Sequence, residues 1–284
     1  QAARKRGVPL STETRLVCQQ APAPVAGITG SSGKTTTTAL VGEMLRASGY
    51  RAWVGGNIGQ PLVGHLDQMN PGDRVVMELS SFQLEYFRPL AGSLPQKLSQ
   101  LGSPEGVSPP VAAILNITPN HLDRHPNMEA YTEAKQNIYR HQKGGVAVLS
   151  LDDPVTRRMA QELQPQGSRV LWFTSQGEPE GLGAFVQGDR IMLRTDDREL
   201  PICQVQEVPL RGPHNVSNVL AAVAVAWAAG AAPEAQAEAI RRFRGVPHRL
   251  ELVLELRGVR WYNDSIATTP ERTLAALRSF SEPI

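Results

Sequence analysis

Glycines, a lysine and a run of threonines stand together in VAGITGSSGKTTTTAL, at Gly27, Gly30, Gly33, Lys34 and Thr35 to Thr38. Glycines let successive backbone N–H groups point inward around a phosphate, and a following helix adds the partial positive charge of its N-terminus. Lys34 could reach the β- and γ-phosphates from such a loop, and Thr35 could place its hydroxyl on a magnesium ion. The spelling G-x-x-G-x-x-G-K-T is a variant: the usual phosphate-loop pattern wants glycine where Ile28 stands. The physical demands are still met. Gly30, Ser32, Gly33, Lys34, Thr35 and Thr36 are therefore candidate contacts of a nucleoside triphosphate.

Other groups could serve the same chemistry. Glu78 closes a strand-like run in MELSSFQLE, where a carboxylate suits a magnesium ion beside phosphates. LNITPNHLDRH offers His121, Asp123 and His125, but the H-E-x-x-H arrangement of a zinc site is absent. The expected assignment is His121 toward the triphosphate and His125 on the surface. Asn57 in GGNIGQP suits a substrate contact by its amide. Asn215 and Asn218, three apart at the start of an apolar helix, could cap it or meet a base edge. Arg249 and Asp264 could bring a guanidinium to phosphate and a carboxylate to ribose. Lys135, in the helical stretch EAYTEAKQNIY, reads by residue type alone as a solvated charge.

These residues need elements to hold them. Strand-like runs are expected at Val25–Thr29, Ala52–Gly55, Arg74–Leu79, Val111–Ile117, Val146–Ser150 and Arg169–Phe173. Helical patterns alternate with them at Lys34–Ser48, Pro61–Met69, Ser81–Leu90, Met128–Gln142 and Pro154–Leu163. That alternation predicts an α/β fold with a mostly parallel sheet flanked by helices. Phe185–Arg211 reads as a small antiparallel addition, with turns at Gly188-Asp189 and Asp196-Asp197. Helices follow near Val216–Ala229 and Pro233–Arg244. After a hinge at Gly245–Pro247 come a hairpin, Leu250–Leu256 with Val259–Asn263, and a helix at Pro270–Phe280. Ser93–Pro110, rich in Ser, Pro, Gly and Gln, is expected to be a surface loop. The division expected is a linker over 1–22, a nucleotide-binding domain over 23–245 and the start of a second α/β domain over 246–284.

The chain has 284 residues, 41% hydrophobic and 20% charged, enough for a buried core, and its net charge of +2 gives no reason to expect a nucleic-acid partner. Two cysteines, Cys18 and Cys203, make no disulfide framework and no metal spacing. The apolar run Val219–Ala232 is too short to span a bilayer and reads as a buried helix. No secretory-signal pattern is visible, and the expectation is a cytoplasmic monomer without membrane insertion. Beginning at Gln1 and stopping after a helix-like stretch, the chain reads as a piece of a longer protein.

Taken in order, GITGSSGKTTTT, GGNIG, ELSSFQLE, NITPNHLDRH, the lysine helix, HNVSN, PHRLE and YNDSIATTP resemble the Mur ligases, the ATP-dependent amide-forming enzymes of peptidoglycan precursor synthesis. ELSSFQLE and GGNIG are most similar to the branch that adds D-glutamate to UDP-N-acetylmuramoyl-L-alanine. The loop spelling is shared with the branch adding D-alanyl-D-alanine. Folylpolyglutamate synthetases are more distant relatives with the same chemistry. The resemblance implies ATP, two Mg²⁺ ions and the two small-molecule substrates. It implies that Thr35 and Glu78 hold one metal, that His121 sits on the second, and that Lys135 is carbamylated by CO₂ to become a metal ligand. It places Asn57 and Ser80 near the UDP-sugar, Asn215, Asn218 and His248 near adenine, and Arg249 and Asp264 on phosphate and ribose. It also implies that most of the UDP-sugar and D-glutamate sites lie outside this chain. Two other classes compete. A regulatory GTPase would need an Asn-Lys-x-Asp segment, which is absent; a non-catalytic nucleotide-binding module remains open.

Overall fold

The computed structural model describes residues 10–90, 105–163, 167–267, 270–280 and 282. Strands are β1 Val25–Thr29, β2 Ala52–Gly56, β3 Arg74–Glu78, β4 Val111–Ile114, β5 Val146–Ser150, β6 Arg169–Thr174, β7 Gly183–Gln187, β8 Arg190–Arg194 and β9 Glu199–Gln204. Helices are α1 Glu13–Gln20, α2 Lys34–Ala47, α3 Ser81–Leu84, α4 Met128–Gln136, α5 Pro154–Leu163, α6 Pro213–Ala228 and α7 Pro233–Arg242. A separate hairpin, β10 Glu251–Leu256 and β11 Val259–Asn263, is followed by α8 Pro270–Leu277.

The main sheet has the order β2-β3-β1-β4-β5-β6-β7-β8-β9. Neighbours pair in parallel from β2 through β7, and β8 and β9 add antiparallel edges. The expected α/β class, with its small antiparallel addition, is what the chain adopts. Because side chains alternate across a strand, a parallel sheet must be apolar on both faces. Ala26, Ile28, Val76, Ala113 and Val148 point to one face, under α2, α6 and α7. Val25, Val75, Met77, Ala112, Ile114 and Leu149 point to the other, under α1, α4 and α5. Helix α6 is encased: Val219, Leu220 and Ala221 through Ala226 are each 1% exposed or less. This explains why its apolar run has no polar stripe.

Several elements are shorter than their sequence patterns. Pro61–Met69 forms a 3₁₀ turn over Leu62–Gln68. Ser81–Leu90 yields the four-residue α3 and a 3₁₀ turn at Glu85–Phe87. The lysine helix ends at Gln136, short of the expected Gln142. The stretch expected as a linker holds α1, with Val17 and Arg15 both fully buried. The Arg15 guanidinium donates to the carbonyls of Tyr86 at 2.6 Å and Arg88 at 2.7 Å, pinning the helix to the turn after α3. Most of the expected loop Ser93–Pro110 lies outside the described residues.

Strand β1 has β3 on one side and β4 on the other. The chain runs from β1 out to β2 and back through β3, then crosses to β4. Connections thus diverge on either side of β1, which opens a crevice beyond the carboxyl ends of these strands.

Candidate functional site

Three strand ends meet at that crevice. β1 delivers Gly30–Thr36, β3 delivers Glu78, and β4 delivers Asn116 and His121. The loop turns at Gly33, whose φ is 82°, and α2 begins at the next residue. A β-carbon at Gly33 would also lie 2.2 Å from Asn218 Oδ1, so glycine is required there twice over. The Lys34 ammonium folds onto the loop, donating to the carbonyls of Gly30 at 2.9 Å and Ser31 at 3.3 Å.

Glu78 is 2% exposed and lies next to this loop. Its carboxylate accepts from the Thr35 hydroxyl at 2.8 Å and from Asn57 Nδ2 at 2.9 Å. Thr35, Glu78 and Asn57 are thus one cluster, and Asn57 is placed against Glu78. The Asn57 N–H also donates to the Glu78 carbonyl at 2.8 Å, extending the β2–β3 pairing by one residue.

Lys135 reverses the reading from residue type alone. It is 2% exposed, on the inner face of α4. Its ammonium donates to Thr29 Oγ1 at 3.1 Å and the Gly30 carbonyl at 3.0 Å, and it lies 4.8 Å from the centre of the Tyr131 ring. Burial first, and the Lys34 charge second, hold its pKa well below the usual lysine range against the opposing pull of Glu78. The amine is therefore pushed toward its neutral, nucleophilic form.

His121 is exposed at the crevice, with a left-handed φ of 55°. Its ring meets Phe82 edge-on at 5.2 Å. Partial desolvation, then the charges of Lys34 and Lys135, lower its pKa. His125, expected on the surface, is instead 3% exposed. Its ring stacks on Phe82 at 5.4 Å, meets Tyr131 at 5.3 Å and bonds Ser81 Oγ through Nε2 at 2.9 Å. The histidine is buried because the turn after His121, with the His125 N–H donating to the His121 carbonyl, rolls it under α3.

Ser80 is the N-cap of α3, its hydroxyl oxygen accepting from the Gln83 N–H at 3.3 Å in a reciprocal capping box. Asn215 and Asn218 are joined, Asn218 Nδ2 donating to Asn215 Oδ1 at 3.0 Å. Asn218 lies against Gly33, so this pair borders the loop. Of the candidate residues beyond the hinge, Asp264 and His248 bond within their own segment, while Glu282 pairs with Arg211 before the hinge at 2.9 and 3.1 Å. Asp264 accepts from the Leu250 N–H at 3.1 Å, and Asn263 Nδ2 pairs with His248 Nδ1 at 2.9 Å. Arg249 acts on His214, at the start of α6: packing around that ring first, and the Arg249 charge second, lower the His214 pKa.

The sequence reading passed over Asn116, Phe82 and Tyr131. Tyr131 bonds Ser31 Oγ at 3.0 Å and precedes Lys135 by one helical turn. That i, i+4 spacing was the available signal, since it puts both on one face.

The matching family model is the Mur ligase middle domain, over residues 28–226. The chain belongs to the Mur ligase family. Among its relatives, the UDP-N-acetylmuramoylalanine–D-glutamate ligase of Symbiobacterium thermophilum is 45% identical over 286 residues, covering 100% of this chain and 58% of that protein. The chain thus spans little more than half the length of this Mur ligase relative. The MurF structure from Acinetobacter baumannii shares the fold with a TM-score of 0.70 at 24% identity, over 96% of this chain and 57% of that one. The MurF ligase structure from Thermotoga maritima in complex with ADP has a TM-score of 0.61 at 20% identity, over 94% and 58% respectively.

Among the described residues, no three His, Cys, Asp or Glu side chains group as a ready-made metal cage. The donors that do converge, the Glu78 carboxylate and Thr35 hydroxyl, are hard oxygens that fit magnesium and not a thiolate-seeking metal. No helix among the described residues is long and apolar enough to cross a membrane.

Proposed function

We propose that this chain is the ATP-binding part of a ligase that adds D-glutamate to UDP-N-acetylmuramoyl-L-alanine in peptidoglycan precursor synthesis. The observation that carries the proposal is the junction of Lys34, Thr35 and Glu78 at the β1 loop, on a chain whose 45%-identical relative is named for that reaction. The ADP bound in the Thermotoga maritima MurF ligase supports ATP as the nucleotide. The same reading takes residues 23–245 as the ATP-binding domain and 246–284 as the opening of the next. It takes the whole protein as a cytoplasmic monomer.

A carboxylate is a poor acyl donor and must be activated. One of its oxygens attacks the γ-phosphorus, the bond to the ADP oxygen breaks, and an acyl phosphate forms. Such a transfer needs positioning and charge neutralisation more than covalent help. Gly30, Ser32, Gly33 and Thr36 shape the loop around the phosphates, while Lys34 offsets their charge. The D-glutamate amine then attacks the acyl carbon, loses its proton, and phosphate leaves as the amide forms. His121 would donate to the developing oxyanion. When bound, Mg²⁺ would neutralise triphosphate charge, with Thr35, Glu78, His121 and carbamylated Lys135 as its protein-side partners. Carbamylation requires a neutral amine, and the burial that lowers the Lys135 pKa favours that form. Asn57 and Ser80 would face the UDP-sugar, and Asn215, Asn218 and His248 the adenine. Arg249 and Asp264 would reach phosphate and ribose by movement about Gly245–Pro247, closing the crevice to water.

The test is ADP release by the full-length protein. Release should require both the UDP-sugar and D-glutamate, and vanish in Lys34→Ala. Turnover with D-alanyl-D-alanine or with a folate and glutamate in place of D-glutamate would reassign the branch. This chain alone should bind nucleotide weakly and form no amide; product from it alone would overturn the view that its other substrate sites lie elsewhere.

A further inference from the structure

We infer that Asn116 is a positioning residue of the phosphate loop, resting on the nucleotide reading above. Its backbone and side chain hold two successive peptides of the loop. The Ser31 N–H donates to the Asn116 carbonyl at 3.0 Å, continuing by one rung the ladder in which the Leu115 N–H donates to the Thr29 carbonyl at 2.9 Å. The carboxamide then grips Ser32. Asn116 Oδ1 accepts from the Ser32 N–H at 2.9 Å and from its hydroxyl at 3.3 Å, while Nδ2 donates to the Ser32 carbonyl at 3.3 Å. An amide side chain can do this because it carries an acceptor and a donor side by side, as a peptide does.

The consequence is a division of labour among the loop N–H groups. Those of Ser31 and Ser32 are committed to Asn116. The first helical bond of α2 is from the Thr37 N–H to the Gly33 carbonyl at 3.0 Å. An anion would therefore meet the main chain from Gly33 onward, in the first turn of α2, where N–H groups precede any intrahelical acceptor. Asn116 fixes the peptide just before them, so it sets the direction in which that group of donors points. Ser32 on this view is scaffold held by Asn116, and phosphate contact by the main chain starts at Gly33. Ser31 is also held through its hydroxyl by Thr118 and Tyr131, whereas the exposed Ser32 bonds Asn116.

The experiment compares ADP with AMP, by NMR titration of the chain and of two variants. Asn116→Ala removes all three side-chain bonds and should weaken ADP binding about 10-fold. AMP, which reaches less of the loop, should change less than about 2-fold. Asn116→Asp keeps an acceptor for the Ser32 N–H, loses the donor and adds a negative charge beside the phosphates, so its ADP loss should exceed that of Asn116→Ala. A general structural role would weaken AMP and ADP alike, or lower thermal stability without the ADP bias, and either result overturns the inference. Should Asn116→Ala not fold, the Asp variant carries the same ADP-against-AMP comparison. Wild-type chain that binds no ADP at millimolar concentration overturns the nucleotide reading, and this inference with it. Wild-type binding with an unaltered Asn116→Ala overturns this inference alone.

Discussion

The loop crevice and the β10–β11 hairpin carry candidate nucleotide contacts in opposite circumstances. Around the loop the side chains that matter are fixed by a core on both faces of the sheet. Glu78 and Lys135 are each 2% exposed, and both are bonded to neighbours from other elements. On the hairpin, Leu252, Leu254, Leu256, Val259 and Trp261 are between 49% and 57% exposed, and Asp264 and His248 bond within their own segment. One region is preorganised by its packing. The other has local order but little buried apolar surface to hold it in one place. The difference separates residues that can bind a charge as they stand from residues that must be brought to it.

The largest effect tests the organised side directly. Lys34→Ala should cost about 2–3 kcal/mol of triphosphate affinity, roughly 30- to 150-fold, because a charge-assisted contact is lost where no other cation replaces it in sequence. Calorimetric titration of the full-length protein checks this, and unchanged affinity would remove the loop from the site.

Lys135 gives the next test, through stability against pH. Its folded pKa is depressed, so below the unfolded value near 10.5 the unfolded chain binds more protons than the folded one. Stability should therefore rise with pH across the alkaline window up to about 10.5, with a slope of at most about 1.4 kcal/mol per pH unit. Lys135→Met should flatten that slope while abolishing ligation in the full-length protein. Denaturant midpoints measured at several pH values decide it; an equal slope in both proteins would place the charge elsewhere. Labelled bicarbonate and carbon-13 NMR on the active enzyme would report the carbamate itself.

Gly33→Ala should destabilise by about 2 kcal/mol, combining a positive φ with displacement of Asn218. His125→Ala should cost a similar or slightly smaller amount, about 1–2 kcal/mol, for the lost ring contacts and the orphaned Ser81 hydroxyl. A His125→Ala variant as stable as wild type would mean the ring stack contributes nothing. At the other end, Trp261→Ser on the hairpin should change the unfolding free energy of this chain by less than about 0.5 kcal/mol, since the ring is already half in water. A large loss there would erase the contrast between the two regions.

The sequence was most informative where a local rule is strict. A glycine-rich turn between an apolar strand and a helix can be recognised because positive φ and close backbone approach demand glycine, and G-K-T fixes the lysine at the helix start. The alternation of strands and helices, and the encased α6, were legible because burial on two faces demands continuous apolar runs. Tertiary structure alone decided the states of Lys135, His125 and Asn116. Their residue types suit a surface as well as an interior. What buries the first two and aims the third is the meeting of α4, α3 and the β1 and β4 strand ends, which lie far apart in the chain. A lysine acquires a depressed pKa, and an asparagine a peptide to hold, only from neighbours that folding brings to it, and no local spacing encodes those neighbours.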